Sequence, residues 1–119
     1  MIRLILFLVS FGSVKAVSQI LVVTNVHHRI IDNKIEIFYS VPKATDSIEV
    51  KLLFYKRSNK QFKYSPKFTK GDIGIGVFSG RNKKITWFFK KEPSSLFTGS
   101  GFYFKVSASR IKTAEESEP

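Results

Sequence analysis

Residues 48–55 read IEVKLLFY, and this short run constrains the fold more than any other feature of the chain. Ile48, Val50, Leu52 and Phe54 alternate with Glu49, Lys51, Leu53 and Tyr55. An extended backbone sends successive side chains to opposite faces, so the first set makes a dry face and the second a mixed one. A helix cannot divide the residues this way, because its faces repeat with a period of about 3.6 residues. One dry and one wet face is the pattern of an antiparallel sheet packed on one side. The pattern recurs at 34–41 (KIEIFYSV), with Ile35, Ile37 and Tyr39 on one face. It returns at 83–90 (KKITWFFK), with Ile85, Trp87 and Phe89 together, and at 101–109 (GFYFKVSAS), with Phe102, Phe104, Val106 and Ala108 together. The 12 Phe and 4 Tyr agree with strands, since aromatic and β-branched side chains suit a pleated surface.

The remaining segments read as connections or weaker strands. Residues 20–28 (ILVVTNVHH) predict a first strand. Residues 31–34 (IDNK) predict a turn, because Asp and Asn tolerate left-handed backbone. Pro42 ends the next strand, and 43–47 is a break. Residues 56–60 predict a polar hairpin loop, with a short return strand at 61–64. Residues 68–82 hold Gly71, Gly74, Gly76 and Gly80 and predict a long irregular crossing without strands. A chain of 119 residues is expected to form one domain. The expected class is all-β, an antiparallel β-sandwich of six to seven strands, with a small closed barrel as the alternative.

The first 18 residues, MIRLILFLVSFGSVKAVS, stand apart from that pattern. Arg3 precedes an apolar run at 4–11, which as a helix would span only about 12 Å against about 30 Å of hydrocarbon. It is too short to cross a membrane and suits the apolar region of an export leader. Small residues place the cut after Ala16 or after Ser18. The expected organisation is a leader at 1–18, a β-sandwich at 19–112 and an acidic, flexible tail at 113–119. An exported product, periplasmic or extracellular and without a transmembrane anchor, follows. The formal charge of the whole chain is +11; removing Arg3 and Lys15 with the leader, and Glu115, Glu116 and Glu118 with the tail, leaves a body at +12.

Several residues also resemble a known module. Ile37-Phe38-Tyr39, then Gly71-Asp72, Gly74, Gly76-Val77, Gly80, Lys84, Ile85 and Trp87, then Phe104-Lys105-Val106 and Ala108, resemble a domain of secreted Bacteroidetes proteins. In that domain a GD-x-G-x-GV…G…K-x-I-x-W run precedes F-K-V-x-A. The module is similar to immunoglobulin-like and fibronectin type III-like sandwiches, and in larger proteins it often stands beside domains resembling formylglycine-generating, sulfatase-modifying enzymes. The resemblance covers 19–109 and implies a fold and a setting, with no catalytic residues. It also implies a strand after Ala108, beside the one carrying Phe102, Phe104 and Val106. Residues 109–119 are too polar and too short to supply it, so these three are the candidate edge strand for a partner.

Catalytic chemistry finds little support. The absence of cysteine excludes disulfides, thiol nucleophiles and Cys-ligated metals. His27 and His28 are adjacent on a predicted strand and point to opposite faces, so they cannot chelate one ion together. Asp32, Asp46 and Asp72 read as turn residues, with a weak calcium site as the alternative. Ser79, Ser94 and Ser95 have no base placed beside them. Gly74-Ile75-Gly76 lacks the third glycine and the following helix of a dinucleotide fingerprint. The expectation is a non-enzyme without cofactor or metal, and Trp87 is expected in the core.

Lys56, Arg57, Lys60, Lys63, Lys67 and Lys70 interleave with Tyr55, Phe62, Tyr64 and Phe68. Cations between aromatics suit a polyanion, although lysines also guard sheet edges. Two functions follow. The first is an exported binding or assembly module that meets another envelope protein. The alternative is a secreted protein that binds an acidic glycan or lipopolysaccharide through these six residues, with no nucleic acid expected.

Overall fold

The computed structural model describes residues 19–42 and 46–111. The predicted leader at 1–18 and the tail at 113–119 lie outside the described residues. The described residues form nine strands: β1 (Ile20–Leu21), β2 (Thr24–Ile31), β3 (Lys34–Val41), β4 (Ile48–Lys56), β5 (Asn59–Tyr64), β6 (Thr69–Gly71), β7 (Gly74–Gly76), β8 (Gly80–Trp87) and β9 (Phe102–Arg110). Two 3-10 turns, Phe89–Lys91 and Ser94–Phe97, connect β8 to β9.

All strand pairings are antiparallel, and they build two sheets. The first runs β1-β9-β4-β5, with β7 also pairing β4; the second runs β2-β3-β8-β6. The dry faces read from the sequence meet between them. Ile48, Val50, Leu52 and Phe54 of β4 are buried, as are Ile35, Ile37 and Tyr39 of β3, Ile85 and Trp87 of β8, and Phe104, Val106 and Ala108 of β9. The sheets stay separate, so the molecule is a sandwich rather than a closed barrel. Phe54 is the hub of the core: the rings of Trp87, Phe104, Phe102 and Phe62 lie 5.1, 5.3, 5.5 and 5.7 Å from its own.

Three expectations need correction. Residues 20–28 are not one strand: the chain pairs with β9 at Ile20 and Leu21, then leaves that sheet and enters β2 in the other. Residues 68–82 are not strandless: β6 pairs with β8, β7 pairs with Ile48–Val50 of β4, and β8 starts at Gly80. The glycines permit these short tight pieces. Gly71 has φ of 102°, and a Cβ there would lie 2.6 Å from the Lys84 carbonyl oxygen. Finally, β8 ends at Trp87, so Phe89 reaches the core from a 3-10 turn, its ring 6.5 Å from Trp87.

Candidate functional site

Trp87 is fully buried, and its indole shows how the core end of the sandwich is tied. Its Nε1–H donates to Glu92 Oε2 at 2.9 Å. The same oxygen accepts the backbone N–H groups of Lys67 at 2.7 Å and Phe68 at 3.1 Å, while Oε1 accepts the Tyr64 hydroxyl at 2.5 Å. Glu92 is 6% exposed, and no ion pair among the described residues reaches it. Burial pushes its carboxyl up, but the hydrogen bonds from Tyr64, Trp87, Lys67 and Phe68 outweigh burial and hold it below the ordinary value. The hydrogen bond to Glu92, with burial, pushes the Tyr64 hydroxyl up to about 12. This carboxylate fastens the segment between β5 and β6 to the end of β8. It is a structural anchor.

The six predicted cations do not form one surface. Lys56 is 7% exposed, because it continues the inward alternation of β4; its ammonium lies 4.0 Å from the centre of the Phe62 ring. It therefore leaves the candidate polyanion set. Arg57, Lys60 and Lys63 are exposed on the β4–β5 hairpin. Lys67 and Lys70 belong to the far edge of the other sheet, where Lys70 and Lys91 flank the Phe88 ring.

A more coherent set occupies the outer face of the first sheet. Tyr55 and Tyr103 are cross-strand partners, stacked at 5.2 Å and 14°. Arg57 lies 4.5 Å over the Tyr103 ring, and the Lys105 ammonium lies 5.1 Å from the Tyr55 ring. Lys63 is the partner of Tyr55 on β5, and Lys51 lies on the same face of β4. The sequence did not group Lys51 and Lys105 with these cations, because their neighbours come from another strand. Glu49 is the one carboxylate on this face among the described residues, and others are engaged elsewhere. Glu36 is buried between Arg29, at 2.7 Å, and Lys84, at 3.3 Å, and the Arg29 hydrogen bond holds its carboxyl below the ordinary value. Asp46 pairs with Arg110, and Asp72 accepts the Lys84 backbone N–H at 2.9 Å.

The predicted edge strand lies on one side of the sandwich. β9 pairs with β4 over its whole length without a register shift. On its other side it meets only Ile20 and Leu21, opposite Ser109 and Ala108. The Arg110 N–H donates outward to the Gln19 carbonyl at 2.9 Å. Backbone groups alternate along a strand, so those of Phe102, Phe104 and Val106 also point outward, and no strand among the described residues pairs with them. The strand across from this gap is β2. Val26, His28 and Ile30 share the inward face that carries Ile37 and Ile35 on β3, yet all three are exposed, Ile30 by 65%. His28 reaches across to the Phe104 ring, edge-on at 5.1 Å. The second sheet therefore extends beyond the first on this side and leaves part of its inner face bare.

The residue types that catalysis needs are dispersed. His27 stacks outward on Phe38 at 5.1 Å, while His28 points inward, so the pair does face opposite ways. Among the described residues, no group of three or more His, Asp or Glu side chains comes together as a metal site would require. An open depression of about 500 Å³ is lined by Thr24, Asn25, Ser40, Val41, Pro42, Arg81 and Asn82, where, among the described residues, Arg81 is the only ionisable group. No helix among the described residues is long and apolar enough to cross a membrane. Comparison with family models, curated proteins and solved structures finds no match to this chain.

Proposed function

We propose that the protein is an exported, non-catalytic β-sandwich module that binds or assembles with another protein of the bacterial envelope. One observation carries this reading: the unfinished side of the sandwich, where inward-facing Val26, His28 and Ile30 stay exposed beside the open edge of β9. Apolar surface left bare between two sheets is a contact surface in search of a cover. The leader-like segment and the resemblance to immunoglobulin-like or fibronectin type III-like modules of secreted Bacteroidetes proteins supply the setting. The test is capture of one envelope protein by the mature chain, with photo-cross-links placed at Val26 and Ile30. Capture that survives high salt and cross-links at those positions supports the reading, because apolar contact is not screened. Cross-linking confined to other faces overturns it.

A second reading has its own support. The Tyr55–Tyr103 pair with Arg57, Lys63 and Lys105 is an aromatic and cationic face suited to an acidic glycan or lipopolysaccharide. Binding through it would weaken steeply with salt.

A further inference from the structure

We infer that the lane beside β9 accepts an extended segment of another protein, one whose side chains alternate between apolar and acidic; this rests on the binding-module reading above. The lane is long enough for a strand. Residues 102–107 span about 20 Å at roughly 3.3 Å per residue, an ordinary strand length. Phe102, Phe104 and Val106 offer their outward N–H and C=O groups to it, and an added strand satisfies such groups by continuing the ladder.

The other edges are blunted and this one is not. β2 is bulged between Thr24 and His27, with Asn25 at φ of 55°. β6 is three residues long, and β5 carries exposed Lys60 and Lys63. β9 is regular over its nine residues, and Lys105 lies back over Tyr55 rather than across the edge. Bulges, short strands and lysines are the usual guards against strand addition.

The outermost described residues, Gln19 and Ile111, do not enter the lane. A hairpin returning from Arg110 would need the outer edge of Ser109 and Ala108, which β1 already occupies. Ile111 instead continues past β4, its N–H donating to the Ser47 carbonyl. Gln19 lies opposite Arg110, at the end of β9 away from Phe102. A second copy is a poor occupant as well. Its β9 side chains are already sunk in its own core, and it brings the same positive charge.

The occupant's chemistry follows from the two faces of the lane. Inward side chains would cover Val26, His28 and Ile30, so they are apolar. Outward side chains would lie beside Tyr103, Lys105 and Ser107 of β9, where Lys105 is the one charged group, so they are acidic. A polyanion without apolar groups can meet Lys105 but cannot cover Val26 and Ile30.

The probe is a synthetic peptide alternating Glu with Val or Ile, compared with the same residues in blocks and with a version carrying Lys for Glu. Amide hydrogen exchange and fluorescence anisotropy are read on the mature protein. The alternating acidic peptide should bind and slow exchange at Phe102, Phe104 and Val106, and the controls should not. Val106→Pro removes an outward donor and should weaken binding by about tenfold or more. Should that variant not fold, Ile30→Asp, at an exposed side chain, carries the test with the same expected loss. Four results overturn the proposal. The three amides are already slow in the free protein at every dilution, which assigns the lane to the chain's own ends. They slow only as a dimer forms, which assigns it to a second copy. Or the peptide binds without protecting them. If the peptide fails while the wild-type protein still captures an envelope partner through Val26, this proposal falls and the module reading stands. If wild type captures nothing, the reading itself fails.

Discussion

Glu92 is the residue on which most of one end of the sandwich depends. It holds Trp87, Tyr64 and two backbone N–H groups through two oxygens. Glu92→Gln supplies only one acceptor oxygen and sets an NH₂ group against donors. Stability should fall by about 2–3 kcal/mol, measured by urea denaturation near neutral pH. The pH dependence has a definite sign. Because the folded carboxyl lies below its ordinary value, its contribution is complete above about pH 4.3 and is lost as pH falls through the folded pKa. Wild type should lose stability on that acid limb, and Glu92→Gln should lose less; Glu36, shifted the same way, keeps part of the slope in both. Tyr64 works in the opposite sense at the alkaline end, its contribution complete below about pH 10 and lost toward 12. Trp87→Ala should cost about 3–5 kcal/mol, and wild-type fluorescence should be blue-shifted and poorly quenched by iodide. The burial of Trp87 was legible in its alternation with Ile85. Glu92 was not, because its partners are recruited from β5, the following loop and β8, and nothing in its own neighbours marks it.

At the scale of elements, periodicity read what was long enough to have a period. β3, β4 and β9 each show at least three alternating inward residues and β8 shows two, Ile85 and Trp87, and each was found with the correct inward face. β6 and β7, three residues each, are too short for alternation to be distinguished from chance. Their register comes from partners elsewhere in the chain and from the turn between them. That turn is built by Gly71-Asp72. The Asp72 N–H donates to the Lys84 carbonyl, and its carboxylate accepts the Lys84 N–H, both at 2.9 Å, while its own carbonyl accepts the Tyr39 hydroxyl at 2.6 Å. Gly71→Ala would have to adopt φ of 102° and press a methyl against the Lys84 carbonyl oxygen. It should destabilise the domain by about 1–3 kcal/mol, with exchange at the Lys84 amide accelerated more than at β9. Equal acceleration in both strands would mean that the turn is not locally responsible. The break between β1 and β2 was hidden for a different reason. Ile20, Leu21, Val22 and Val23 read as one apolar run, and only the competition between two sheets for its ends splits it.

At the scale of the whole molecule, the bare inner face of β2 and the cations of the first sheet stand on different faces. The exposed inner face of β2 lies between the sheets, whereas Lys51, Lys63, Lys105 and Arg57 stand on the outer face of the first sheet. Sequence proximity grouped cations that the fold disperses, because consecutive residues of a strand face opposite ways and the chain crosses from one sheet to the other between β5 and β6. Chromatography on immobilised heparin can tell a defined face from diffuse attraction by net charge. A defined face predicts that Lys63→Glu with Lys105→Glu elutes at clearly lower salt than wild type. Lys67→Glu with Lys70→Glu makes the same change in net charge on the far edge of the other sheet and should shift elution much less. Lys56→Gln should not move it beyond its change of one charge, since that ammonium already rests on the Phe62 ring. Equal shifts for the two double variants would show that only total charge matters, because screened long-range attraction does not depend on where a lysine stands.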